Sequence, residues 1–190
     1  MTTKLELIRD FAAVAHEGQQ RRYSPDPYII HPEKVMRTCA QVTSEECILY
    51  AALLHDVIED TVVTKEQLQT FLYSNVDPGT ADCTLQVVIE LTDVYTKENY
   101  PQWNRHKRKE KEAERLGKVS GMAQTIKCAD IIDNCQDITE HDPDFAPKYL
   151  KECSEILDKM KEADPKLYKV AREVIKEEKG KLGKAGKPDV

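Results

Sequence analysis

The chain has 190 residues, with 34 Asp plus Glu against 28 Lys plus Arg, 40% hydrophobic and 6% aromatic, which is one domain's worth of sequence. Residues 179–190 hold four lysines and one aspartate, so the first 178 residues carry 24 basic and 33 acidic groups, net −9. So acidic a body lacks the cationic surface that supplies most of the affinity for a phosphate backbone, and no nucleic-acid polymer is expected as a partner.

Of the seven glycines, only Gly18, Gly79, Gly117 and Gly121 lie outside the tail, and no G-x-G-x-x-G or G-x-x-x-x-G-K-[ST] can be written from them. The usual glycine-rich phosphate cradles are therefore absent. The longest apolar run, Cys47 to Leu54, is eight residues, short of the roughly 20 that span a bilayer. The amino terminus, MTTKLELIRD, has neither a basic segment nor an apolar signal core. The six cysteines (39, 47, 83, 128, 135 and 153) form no C-x-x-C pair, so reduced thiols and a cytoplasmic location are expected.

Apolar residues recur at helical spacing along most of the chain, and an all-α fold of about eight or nine helices is expected. Leu5, Ile8, Ala12 and Ala15 share the first face, and a break follows at 22–27. Pro32 suits the first turn of a helix and places His31 at its mouth. Thr43-x-x-Glu46 and Thr64-x-x-Gln67 read as capping boxes. Breaks at 74–80, 98–104 and 140–147 have the size of inter-helix loops. Asp142-Pro143 and Asp164-Pro165 read as N-caps followed by a proline at the first helical position. Leu150, Cys153, Leu157 and Met160 make one late face; Leu167, Val170, Ala171 and Val174 make another. Residues 1–178 are read as one domain and 179–190, rich in glycine and lysine, as a flexible basic tail.

The chemistry concentrates in LYAALLHDVIEDT, Leu49 to Thr61. A helix that is apolar all round ends in His55, Asp56, Glu59 and Asp60; continued as a helix, it stacks His55 over Glu59 and Asp56 over Asp60. Three carboxylates and an imidazole at the end of a buried helix are costly unless compensated, and a divalent metal compensates them. In TIKCADIIDNCQDI, Lys127, Asp130, Asn134 and Asp137 share one stripe. His31, His55, Asp56 and Asp130 offer two nitrogen and two oxygen ligands, a set that suits Mn²⁺, Fe²⁺ or Zn²⁺ more than Ca²⁺ and leaves positions for water and substrate.

The blocks AHEGQQRRYSPDPYIIHPEKV, AALLHDVIEDT, LTDVYTKENYP and IKCADIIDN, in that order over about residues 1–140, resemble the HD superfamily, specifically the hydrolase domain of RelA/SpoT-type alarmone enzymes and their small hydrolase-only relatives. The resemblance implies an HD-domain helical fold, a metal that is commonly Mn²⁺, and removal of pyrophosphate from the ribose 3′ position of (p)ppGpp. By position, His31, His55, Asp56 and Asp130 match the metal ligands, and Glu59 and Asp60 the acidic pair that handles the attacking water. Asn134, Arg22 and Ser24 match nucleotide contacts. The alternatives are hydrolysis of another nucleotide, or a sensing module that keeps the fold without turnover. The retained ligands and proton-handling acids argue against the sensor, whereas Pro25, Asp133 and Asp137 depart from the family pattern and bear on the substrate.

Residues 105–118, RHKRKEKEAERLGK, carry net +4. They read either as a phosphate-steering wall, with Arg105, Lys107, Arg108 and Lys109 as its cations, or as an exposed helix laced with ion pairs. Lys127, three residues before Asp130, reads either as neutralising the acidic cluster or as emerging at the surface, and is counted with Lys107 and Arg108 among the candidate substrate-binding cations. For His16 the AHEGQ match implies a place near the pocket, while the residue alone reads as a structural hydrogen bond; Tyr100 and Trp103 read as loop packing or as a flap over the base, and His106 and His141 as surface residues.

Overall fold

The computed structural model describes residues 3–22 and 25–185; it falls into two compact units, Met1–Asp93 and Val94–Val190. Both are helical, and the described residues contain no strand, only an isolated bridge between Gln20 and Pro27. The first unit holds α1 (Lys4–Ala15), α2 (Ile30–Cys39), α3 (Glu46–Leu54), α4 (Val57–Asp60), α5 (Lys65–Asn75) and α6 (Pro78–Leu91); the second holds α7 (Arg105–Leu116), α8 (Gly121–His141), α9 (Ala146–Lys159) and α10 (Pro165–Ala185). The all-α class stands, and the expected helix through Leu49–Thr61 breaks at His55 and Asp56 into α3 and the single turn α4.

In the first unit α3 is the central element, packed by α1, α2 and α6. Its apolar residues occupy every side of the helix, and Cys47, Ile48, Tyr50 and all of Ala51 to Leu54 are buried. At roughly 1.5–3 kcal/mol for each large apolar side chain buried, this helix anchors the ligand-bearing turn that follows it. Phe11 of α1 stacks on Phe71 of α5 with ring centroids 3.9 Å apart.

In the second unit α8 packs against α9 and α10. The expected faces of α9 and α10 are the buried ones: Leu150, Cys153, Leu157 and Met160, then Leu167, Ala171 and Val174. Gln124, fully buried in α8, accepts the backbone N–H groups of Lys161 and Glu162 at 2.9 and 2.8 Å. Gly121 sits where a Cβ would come within 2.5 Å of the Glu162 carbonyl oxygen, so only glycine allows this close approach.

Thr64 and Asp164 cap as expected, and Thr3 with Glu6 forms a further capping box on α1. Two expected caps are corrected. Thr43 accepts the Glu45 N–H at 3.1 Å in a turn before α3, whose N-cap is Glu45. Asp142 accepts the Phe145 N–H at 3.2 Å, and α9 starts after Phe145. In both, the side chain closes a local turn instead of the helix, a competition open to any Thr or Asp with a nearby amide.

The expected boundary at 178/179 falls inside α10, which continues to Ala185, while residues 186–190 lie outside the described residues. The expectation of six reduced thiols is also corrected. The packing of α3 on α6 brings Cys47 and Cys83 to a Cα separation of 5.9 Å, and they form a disulfide. The inference from thiols to a reducing compartment does not extend to this pair. Cys39, Cys128, Cys135 and Cys153 are buried and stand outside any disulfide, and burial pushes the Cys39 thiol up to about 12, out of the reactive range. No helix of the described residues is long and apolar enough to cross a membrane.

Candidate metal centre

The first unit gathers His31, His55 and Asp56 from three different local settings. His31 stands in the first turn of α2 beside Pro32, His55 follows the buried α3 directly, and Asp56 precedes α4. One donor atom from each lies within 4.8 Å of the others, and both imidazoles are buried. His31 Nε2 and His55 Nε2 stand 3.6 and 3.0 Å from Asp56 Oδ2. His55 Nδ1 faces the Ala52 carbonyl at 2.8 Å, which places the ring proton on Nδ1 and leaves Nε2 as a donor atom for a cation. Two imidazole nitrogens and a carboxylate oxygen, converging at this distance, fit a divalent transition metal.

The acidic residues after the His-Asp pair do different things. Asp60 keeps the expected stacking on Asp56, since its N–H donates to the Asp56 carbonyl at 2.8 Å. The Tyr28 hydroxyl donates to Asp56 Oδ2 at 2.7 Å and lies 3.1 Å from Asp60 Oδ2. Asp60 is exposed as a residue, but partial desolvation of its carboxyl, reinforced by the nearby Asp56 charge, holds its pKa above the ordinary carboxylate value. Glu59 instead accepts the Asp93 N–H at 2.9 Å.

In the second unit, α8 carries its own buried carboxylate. Asp130 is 4% exposed, and Lys127 Nζ meets its Oδ2 at 2.7 Å while the Asn134 amide donates to Oδ1. Lys127 thus neutralises Asp130, as its spacing suggested. The candidate cations of α7 are engaged within this unit: Arg105 forms two bonds to Glu152 at 2.9 and 2.7 Å, Lys107 sits 4.4 Å from the Trp103 ring centroid, and Arg108 donates to the Trp103 carbonyl. Tyr95, Tyr100 and Trp103 stack together, with Tyr100 and Trp103 centroids 4.6 Å apart. Arg22 is exposed, and Ser24 lies outside the described residues. His106 and His141 are exposed, as expected.

A family model described as "HD domain" matches residues 9–163. The chain belongs to the HD domain family. The match runs through the 93/94 boundary, so both units contribute sequence to one HD domain. The chain is 37% identical over 162 residues to a guanosine-3′,5′-bis(diphosphate) 3′-pyrophosphohydrolase of Vibrio cholerae, covering 80% of this chain and 21% of that protein. It is 34% identical over 137 residues to the guanosine-3′,5′-bis(diphosphate) 3′-pyrophosphohydrolase MESH1 of Drosophila melanogaster, covering 70% of this chain and 68% of that one. The chain therefore spans about a fifth of the bacterial relative and about two thirds of the fly one. A solved structure described as a metazoan ortholog of SpoT that hydrolyzes ppGpp superposes with a TM-score of 0.78 at 24% identity, over 93% of this chain and 96% of that one. That likeness shows the fold.

Two residues of this HD domain stand at the site without having been singled out as site residues from sequence. Tyr28 bridges the two aspartates, and Gln19 donates to the Asp60 carbonyl at 2.7 Å. Tyr28 and Gln19 fall within the blocks that carried the resemblance, but a tyrosine three residues before a histidine, or a glutamine after a glycine, carries no chemical signal by spacing alone. His16 makes its expected structural hydrogen bond, with Gln19, at 2.8 Å.

Proposed function

We propose that this HD domain is a metal-dependent phosphohydrolase, acting as a (p)ppGpp 3′-pyrophosphohydrolase that releases pyrophosphate from the ribose 3′ position. The observation that carries the reading is the convergence of one ring nitrogen each of His31 and His55 and an Asp56 oxygen within 4.8 Å. The shared name of the Vibrio cholerae and Drosophila melanogaster relatives supplies the substrate.

In this reading His31, His55, Asp56 and Asp130 hold the cation, with Mn²⁺ as the proposed ion. When bound, a divalent cation supplies Lewis-acid charge that acidifies a water and offsets the phosphate charge. The chain's own residues do the rest. His55, oriented by the Ala52 carbonyl, presents Nε2 in a fixed tautomer. Asp60, with Glu59, accepts a proton from the attacking water and returns one to the leaving 3′-oxygen. Arg22 offers a planar guanidinium to stack on the purine, and Ser24 and Asn134 supply polar contacts to the nucleotide. Lys127 balances the charge of Asp130, while Lys107 and Arg108 belong to the basic segment that draws a polyphosphate toward the site.

The test incubates metal-free protein with Mn²⁺ and a panel of nucleotides, and separates products by chromatography. Pyrophosphate from ppGpp, lost in H55A and D56A, supports the reading. Turnover confined to other nucleotides transfers it to another substrate, and tight binding without turnover under every metal identifies a sensor.

A further inference from the structure

We propose that Tyr28, His16 and Gln19 form a positioning layer beneath the metal centre, with Tyr28 as the clamp that sets Asp56 against Asp60. Asp56 and Asp60 are like-charged carboxylates four residues apart, joined by one backbone hydrogen bond of 2.8 Å. Left alone they repel and turn away from each other. The Tyr28 hydroxyl lies between them, 2.7 Å from Asp56 Oδ2 and 3.1 Å from Asp60 Oδ2. Its proton offsets part of that repulsion and fixes the direction in which the Asp56 oxygen faces the imidazoles.

Tyr28 is itself held. Its ring stacks on His16 with centroids 4.6 Å apart and planes 30° from parallel, and its N–H donates to the Gln19 carbonyl at 3.0 Å. The Gln19 side chain then reaches the site from the other direction. Its Nε2 donates to the Asp60 carbonyl at 2.7 Å, so its Oε1 faces His16 Nδ1 at 2.8 Å. A carbonyl oxygen accepts only, so His16 Nδ1 donates to it. The His16 Nε2 is buried without a hydrogen-bond partner. His16 therefore acts through Nδ1 and through its ring face, both directed at partners of Asp60. Gly18 makes the layer possible, because its φ of +78° turns the chain from α1 back toward Gln19, a conformation that a side chain would strain.

This inference rests on the metal-dependent reading above, and the metal affinity of the full chain separates the two. Y28F keeps the ring stack and removes only the hydroxyl. Calorimetric titration with Mn²⁺ is expected to show binding weakened by about 10–100-fold, with kcat on ppGpp reduced by a similar factor and KM nearly unchanged, as for other residues that orient ligands from behind. Q19A is expected to lower kcat without touching the ring packing, and H16N, which retains a donor near the Nδ1 position, to recover most of the activity lost in H16A. Y73F, at an exposed tyrosine paired with Asp82, controls for the loss of a hydroxyl–carboxylate bond elsewhere in the same unit. Should Y28F fail to fold, Q19A and the H16A/H16N pair decide. Mn²⁺ affinity and kcat of Y28F, or of Q19A where that decides, within about twofold of wild type overturn the clamp alone, since no ligand orientation has then been lost. A wild-type chain that binds no divalent cation overturns the metal reading and the clamp with it.

Discussion

Glu59 accepts the backbone N–H of Asp93 at 2.9 Å, which ties the turn after the His-Asp pair to the segment following α6. The same carboxylate is one of the two proposed to handle protons, so its two roles must be separated by substitution. E59Q retains an acceptor for the Asp93 amide, whereas E59A removes it at a cost of about 1 kcal/mol. Loss of a proton-handling carboxylate is expected to lower kcat by about 10²–10⁴-fold in both E59Q and D60N. Steady-state kinetics alongside denaturant melts check this: E59Q must lose activity while keeping wild-type stability.

Removal of the metal is expected to abolish turnover, and Mn²⁺ to restore it. A cation that binds only the folded chain raises the unfolding free energy by about 2.7 kcal/mol at 100 times its dissociation constant. Thermal melts with a chelator and with Mn²⁺ read this directly. The H55A melt should not respond to Mn²⁺, because the variant lacks a nitrogen donor that a carboxylate alone does not replace.

The Cys47–Cys83 disulfide closes a loop with a sequence separation of 36 between α3 and α6. Its reduction, or the C47S substitution, is expected to cost about 2–4 kcal/mol. Guanidinium unfolding with and without a reductant measures this, and mass spectrometry under denaturing alkylation counts the protected thiols. Equal stability in both conditions contradicts the pairing.

Glu112 is 1% exposed and accepts the N–H groups of Val94 and Tyr95, both at 3.1 Å, while its other oxygen meets Arg115. Removing it takes away the buried carboxylate that meets Arg115 and accepts two amides, so E112A is expected to cost about 3–5 kcal/mol. Tyr95 stacks on Trp103, the sole tryptophan. The fluorescence of Trp103 should therefore change in E112A under conditions where circular dichroism still reports a helical chain.

Much of the metal centre was legible because its residue types are rare in buried helices. A histidine and a carboxylate directly after an apolar turn such as Ala51 to Leu54 need a reason, and that need identified His55 and Asp56. His31 was visible through Pro32, which marks a helix start. Lys127, Asp130 and Asn134 were readable as one stripe because three- and four-residue spacings on a helix place side chains side by side. Glu112 gave no such signal. Within RHKRKEKEAERL it is one of three glutamates among six cations, and nothing in the spacing marks it as the buried one. The partners of the α7 cations were equally hidden: Arg105 meets Glu152 and Arg108 the Trp103 carbonyl within the same unit.

The helical class, the buried faces of α9 and α10 and the donor types at the site follow from the sequence by itself, because side-chain chemistry and the 3.6-residue period are local properties of the chain. The tertiary structure decided which distant groups meet: Tyr28 with Asp56 across 28 positions, Glu59 with Asp93 across 34, and Cys47 with Cys83 across 36. It also decided that the helix expected through Leu49–Thr61 breaks at His55 and Asp56. Local periodicity favours continuing that helix. Both side chains at that break stand beside His31, a residue more than 20 positions earlier, and the packing of α2 against α3 brings that partner within reach.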